Sequence, residues 1–339
     1  KALDQVSELA RKDPGVDQVL TIAGVSALYN NASLASAGVA YVVLKPWSER
    51  AGLLTLFGRL SKAFDEIDAR VITLPPPPIQ GIGNAGGFTL MVEIRDGSSD
   101  FTKLQGITNA IIANAQSQSG LQRVSTSFRA DSPQYRIDVD RVKAQVVQVS
   151  VDQVFSTLAT YLGSTYVVQF NKFGRVFQVY AQADAKFRLR TQDIANLTVR
   201  NQKGDMIPLG TLAAIVPTAG PALVTLYNLY PSSSIIGLPA AGFSSGDAIR
   251  LMEQNASHTV PTGAGTDWTA MSYQEKIVGN QMYLVFILAM VLVYLVLAGQ
   301  YESWYAPISI IFSVPLALVG PVSVLNGLRI DNNLYTKIG

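Results

Sequence analysis

The sequence predicts an α+β chain: ferredoxin-like strand-helix-strand subdomains, another subdomain inserted between their halves, then two transmembrane α-helices. Three observations carry this expectation. Before residue 277 the apolar residues switch between a period of two and a helical period. A strand, helix, strand pattern occurs twice, near 88–121 and 222–270, around a stretch with elements of its own. From Ile277 to Leu328 the only acidic or basic side chain is Glu302. With 48% hydrophobic residues in 339 and a mean hydropathy of +0.24, the chain falls between a soluble enzyme and a membrane-embedded protein.

In chain order, strands are expected at 38–46 and 69–75, around a helix carrying Phe57, Leu60, Phe64 and Ile67 at spacings of three and four. Phe88, Leu90, Val92 and Ile94 alternate with Thr89, Met91, Glu93 and Arg95, describing a strand with one buried face and one partly wet face. A helix with Leu104, Ile107 and Ile111 on one side follows, then a strand from Leu121. In the inserted stretch Tyr135, Ile137 and Val139 alternate with charged residues, and Ser150 to Gln153 forms a capping box before a helix with Val154, Phe155 and Leu158. Residues 165–184 read as a hairpin turning near Asn171 to Gly174, standing free as a contact surface or pairing inside its own sheet. Strands at 222–230 and 234–242, a helix over Asp247 to Ala256 and a strand at 265–270 complete the second pattern.

Residues 282–299 and 306–325 are each long and apolar enough to span a hydrocarbon core of ~30 Å at ~1.5 Å per residue. Between them Tyr301, Trp304 and Tyr305 suit a headgroup region, so a helical hairpin is expected, its second arm bent by Pro307, Pro315 and Pro321. The opening at Lys1 and the unmarked end at Gly339 are those expected of a piece of a longer chain.

Several function classes are excluded or disfavoured. Against 26 basic residues stand 24 acidic ones, and a net charge of +2 leaves no electrostatic footprint for nucleic acid. No cysteine means no disulfide or thiolate metal site, and the single His258 excludes a histidine cluster. No paired carboxylates and no Ser/His/Asp set are evident, so neither an enzyme nor a cofactor is expected. Gly81, Gly83 and Gly86 match a dinucleotide fingerprint in spacing, but prolines 75–78 precede them and a strand follows, where the fingerprint needs a strand before and a helix after. Stiff prolines running into glycines suit either a connector or a moving gate. Residues 24–38 read as a loop of small residues with Leu28, Tyr29 and Leu34, suited to a pocket that admits amphiphiles or to an ordinary surface turn.

Four strings, TDWTAMSYQEK (266–276), LAGQYESW (297–304), SVPLALVGP (313–321) and DSPQYRIDVDRVKAQ (131–145), together resemble the carboxyl-terminal half of resistance-nodulation-division (RND) hydrophobe/amphiphile pumps of the AcrB type. The resemblance runs nearly end to end and implies that residues 1–81 are most of one porter subdomain. It makes 82–131 with 222–270 the next, 132–221 a docking subdomain, and 271–281 a connection to the membrane. Residues 282–299 and 306–325 would be spans, and 326–339 the start of a further segment. It implies a homotrimer of the bacterial inner membrane with its large domain in the periplasm, in contact with membrane lipid. The trimer would export amphiphilic small molecules through a periplasmic adaptor protein and an outer-membrane channel, driven by proton relays on other spans.

By the same resemblance Leu20, Ile22, Tyr41, Ile72, Leu74 and Pro76 align to pocket-lining positions, and Ser234, Ile236 and Met271 to an outer entrance. Residues 24–38, with Leu28 and Tyr29, would be a loop dividing two pockets. The sequence departs from the pattern where aliphatic residues replace phenylalanines and where Ser125 holds a pocket arginine position. Two rival readings are metal-ion export, which would call for converging methionines or carboxylates, and a membrane-anchored scaffold without a transport cycle. Met91, Met206, Met252 and Met271 are scattered along the soluble part.

Overall fold

The computed structural model describes residues 1–77, 79 and 82–328, without the side chains of 54, 278–286 and 314–318. Gly81 of the glycine string and residues 329–339 of the expected final segment lie outside the described residues. The chain is α+β with several small antiparallel sheets, and it divides into two compact units, Lys1–Ala130 with Pro221–Gly339, and Asp131–Gly220.

The larger unit begins with a lobe of four elements: α1 (Ala2–Arg11), β1 (Val16–Ser26), β2 (Ala32–Leu44) and α2 (Leu53–Phe64). Asp4 in the first turn of α1 and Arg11 in its last complement the helix dipole. Val6 and Ala10, one turn apart, face Val16, Val19, Leu56, Leu60, Phe64 and Ile67 in a closed core. The core stripe of α2 therefore runs through Leu56 rather than Phe57, and Phe57 turns to another partner. Asp13 ties the turn after α1 to α2 through Arg59 at 2.9 Å.

Two sequence expectations fail here. Residues 24–38 are not a loop: β1 and β2 pair antiparallel to Ser26↔Ala32, with a bulge between Ala23 and Val25. Only residues 27–31 turn, Asn30 and Asn31 taking positive φ of 50° and 59°. Nor do residues 69–75 form a strand; the chain from 70 to 77 is described without regular secondary structure. Prolines 75–77 have no N–H to give a ladder, and each holds the preceding residue extended.

The second lobe opens with β3 (Phe88–Ile94), α3 (Phe101–Gln116, capped by Asp100) and β4 (Leu121–Thr126). The chain then makes the smaller unit. There β5 (Ser132–Val139) leads to α4 (Arg141–Val146) and α5 (Val151–Leu158), whose Ser150 and Gln153 close a reciprocal capping box. Next come β6 (Thr165–Lys172), β7 (Arg175–Ala181), α6 (Thr191–Ala195), β8 (Thr198–Arg200), β9 (Met206–Pro208), α7 (Leu209–Leu212) and β10 (Ala213–Gly220). Ala144, Val149, Val154, Leu158, Val199, Leu209 and Leu212 form its core. The first and last strands pair along their whole length, from Val139↔Ala213 to Ser132↔Gly220. The β6–β7 hairpin turns at Phe173 and Gly174 and is a two-stranded sheet of its own, exposed on both faces. Stacked Phe170 and Phe177, centroids 5.6 Å apart, hold it across the strands.

The chain returns to the larger unit with β11 (Thr225–Tyr227), β12 (Tyr230–Pro239), α8 (Ser245–Thr259) and β13 (Ala264–Trp268). The expected strand over 222–230 is thus a short hairpin arm, turning at Asn228 and Leu229. The sheet runs β4–β12–β3–β13, every pair antiparallel, with β11 beside the start of β12. Two strand-helix-strand units are therefore interlocked, each central strand coming from a different half. Helices α3 and α8 cover one face and bury Leu90, Val92, Ile94, Leu104, Ile111, Ile235 and Met252. Gly87, at φ +98°, lies where a Cβ would come within 2.2 Å of the Gly237 carbonyl, so only glycine lets these backbones meet.

Three helices end the described chain: α9 (Ala270–Tyr301), α10 (Ala306–Ile311) and α11 (Ser313–Gly327). Among the described residues no helix is long and apolar enough to cross a membrane. The run 282–299 falls inside α9, which already includes the expected connector 271–281. The run 306–325 is not one helix; it divides at Phe312, three residues before Pro315, which has no N–H for the carbonyl four residues earlier. Glu302, at φ 47°, ends α9, and the Tyr294 hydroxyl donates to the Trp304 carbonyl at 3.0 Å across the corner.

Candidate functional site

The pleat of the β1–β2 hairpin sorts its side chains. Val19, Ala40 and Val42 pack on the lobe core, while Leu20 pairs with Tyr41 and Ile22 with Val39 on the opposite face. Leu20, Ile22 and Tyr41 are 58%, 40% and 46% exposed, and Val43 extends the same strip. Three of the expected residues thus make one open apolar surface.

The tip of the hairpin is different. Leu28 and Tyr29 sit in a tight turn over Ala27–Tyr29, and Asn84 holds that turn from the glycine-rich segment. Its side-chain amide donates to the Leu28 carbonyl at 3.2 Å and to Asn30 Oδ1 at 2.8 Å. The Tyr29 phenol is pushed above its ordinary pKa by burial, opposed by the neighbouring Ser127 and Ser234 side chains. Ser234 and Ile236 lie on β12, on the sheet face away from α3 and α8, with Ser125 opposite Ile236 and Met91 opposite Ser234. Among the described residues the buried Ser125 hydroxyl has no hydrogen-bond partner, while the Ser127 hydroxyl lies beside the Tyr29 phenol. The structure therefore brings Tyr29 beside Ser127 and Ser234, next to Ile236 and Ser125 on the same sheet face, a set of hydroxyls and apolar side chains suited to an amphiphile with one polar handle.

The remaining expected residues are placed separately. Ile72 and Leu74 are half-buried and Pro76 exposed on the irregular segment, which the Gly86 N–H ties at the Pro75 carbonyl, 2.9 Å. Met271 is half-buried in the first turn of α9, next to Ala270, whose Cβ faces Gly83. Leu20, Ile22 and Tyr41 remain on the hairpin shaft, apart from Tyr29 at its tip.

The same face of β3 as Met91 carries a charged network that alternation alone describes as a wet strand face. Glu93 is fully buried, bonded to Arg95 Nε at 2.6 Å, and Arg95 bonds Asp267 at 2.8 Å. Asn228 also donates to Asp267 and the Tyr227 hydroxyl to the Trp268 carbonyl, so the β11–β12 turn is tied to β13, where Arg95 and Asp267 stay partly open to water. Burial pushes the Glu93 carboxyl above its usual range, against the pull of Arg95. On α8, Glu253 receives Trp268 Nε1 at 2.8 Å and Lys276 Nζ at 2.5 Å. Burial raises this carboxyl too, but the two donors outweigh it and hold it below the ordinary range. Among the described residues no group of three or more His, Asp or Glu side chains could hold a metal ion.

Comparison with known proteins adds a family. A model described as the AcrB/AcrD/AcrF family matches residues 1–339. The multidrug export protein AcrF of Escherichia coli (strain K12) is 36% identical over 346 residues, covering 100% of this chain and 33% of that protein. The toluene efflux pump membrane transporter TtgB of Pseudomonas putida is 34% identical over 344 residues, covering 99% and 32%. The multidrug resistance protein MdtF of E. coli (strain K12) is 33% identical over 350 residues, covering 100% and 33%. The chain spans about a third of the length of the curated relatives it matches.

Proposed function

The chain belongs to the AcrB/AcrD/AcrF family of RND efflux transporters, which are not enzymes, and from that premise we propose that it is the substrate-handling part of a drug and amphiphile exporter. In this reading the whole protein is a proton-driven homotrimer of the bacterial inner membrane. It works with a periplasmic adaptor and an outer-membrane channel. Lobes 1–81 and 82–131 with 222–270 are its porter subdomains, and 132–221 is its docking subdomain. The apolar runs 282–299 and 306–325 seat it in lipid, where Tyr301, Trp304 and Tyr305 take the headgroup level.

One observation carries the reading: an apolar hairpin ending in Tyr29, whose phenol is set against serines on the neighbouring lobe. An exposed strip of Leu20, Ile22 and Tyr41 offers area without directional bonds, and the serines beside Tyr29 at the tip offer hydroxyls. Together they suit ligands that share an apolar body and differ in their polar groups.

The test is efflux of a fluorescent amphiphile from cells carrying the full-length protein with Ile22→Trp or Leu74→Trp. Added ring volume should slow efflux several-fold for large substrates and less for small ones. Unchanged efflux of every substrate would remove these residues from the pocket.

A further inference from the structure

The two lobes of the larger unit have separate cores, and one side chain grips across them. Arg123 lies on β4, where the pairing with β12 shifts register between Ile236 and Leu238. Its φ is +55°, a left-handed value that an arginine adopts only when its surroundings impose it. The bulge re-aims the side chain away from its own sheet and onto α2. There the guanidinium carbon is 4.4 Å from the Phe57 ring centroid, and Nη1 donates to Ser61 Oγ at 2.7 Å. Ser61 in turn donates to the Phe57 carbonyl at 2.8 Å. Phe57 and Ser61 are one helical turn apart, so ring and hydroxyl form a two-point seat on one face of α2. Because the seat is near the end of α2, the helix dipole also favours a cation there.

We infer that Arg123 is a positioning residue that latches the second lobe to α2 and so sets how closely Ser127 and Ser234 approach Tyr29 of the first lobe. The strained backbone supports this over an incidental surface contact: the bulge costs β4 its regular register, and its product is a guanidinium delivered to the other lobe. Phe57 supports it from the opposite side, since this ring is turned out of the α2 core stripe to meet the cation. The latch stands on geometry alone, while its consequence for transport rests on the export reading.

The experiment measures the distance between spin labels on exposed Lys62 of α2 and exposed Ala113 of α3 in the full-length protein, as parent, Arg123→Gly, Phe57→Leu and the double variant. Glycine accepts the positive φ without strain, so Arg123→Gly removes the latch and keeps the bulge. With labelled chains diluted in unlabelled ones, so that distances within one chain are read, the parent should give a narrower distribution than any variant. Each single variant should give a longer, broader distribution, and the double variant should be no broader than Arg123→Gly, because both remove the same contact. In parallel, the half-saturating substrate concentration for efflux should shift several-fold in Arg123→Gly and be largely restored in Arg123→Lys. An Arg123→Gly distribution superimposable on the parent overturns the latch, as does an additive double variant. A parent that exports no amphiphile defeats the export reading while the distances still decide the latch.

Discussion

At the scale of single residues, Glu93 is where sequence and structure part most sharply. Its place in an alternating strand puts it on the open face, yet it is fully buried between β12 and β13, strands that come more than a hundred residues later. No local signal carries that information, just as none gives Arg123 its left-handed backbone. Phe88, Leu90, Val92 and Ile94, by contrast, are buried as their alternation requires. The raised Glu93 carboxyl has a pH consequence. Above the ordinary carboxylate range the unfolded chain is ionised while the folded site still favours the proton. Stability is therefore fully present below that range and declines as pH rises through the folded value. Glu93→Gln, neutral and of the same shape, should melt at a higher temperature than the parent at pH 8. The difference should shrink as pH falls through the ordinary carboxylate range and be gone by about pH 3, where the side chain is protonated in the folded and unfolded chain alike. Thermal unfolding followed by circular dichroism at the two pH values checks this; a gap that widens on acidification contradicts it.

At the scale of elements, those with strong local chemistry are legible in the sequence and those set by pairing are not. The capping box at Ser150 and Gln153 closes as its spacing requires, because both partners are four residues or fewer apart. Ser150→Ala should cost about 1 kcal/mol, read as a lower urea midpoint with an unchanged m-value. Residues 24–38 resemble a loop in sequence because alanine, serine and glycine have low strand preference. The ladder with the opposite strand consists of backbone bonds, however, and needs no particular side chain. The tip of that hairpin depends on Asn84, whose amide makes two bonds to the turn. Asn84→Ala should therefore speed amide hydrogen exchange across residues 27–31 by roughly tenfold, equivalent to about 1.4 kcal/mol of local opening, while the core strand β3 stays protected.

At the scale of the whole molecule, the α+β character is visible from the change of period, and the family from four strings spread along the chain. The strand order is not visible, because it depends on which distant strand lies between which two others. The smaller unit leaves and returns at one point, since Ser132 and Gly220 are cross-strand partners whose Cα atoms are about 5 Å apart. Replacing residues 131–220 by a short glycine linker should therefore leave the larger unit folded. Its near-ultraviolet circular dichroism, to which Trp268 packed edge-on to Phe88 at 6.3 Å contributes, should be retained. Loss of that signal would mean that the inserted unit props up the sheet.

The interlocked sheet also sets a schedule for biosynthesis. Neither β3 nor β4 pairs with the other; both wait for β12, which begins at Tyr230, long after β4 ends at Thr126. At ~5–20 residues per second the ribosome needs on the order of 5–20 s to deliver it. Throughout that interval the first half of the second lobe has helix α3 and two strands but no sheet to join. Leu90, Val92 and Ile94 then lack the side chains of β12 and α8 that complete their core, while the intervening unit can already have closed its own.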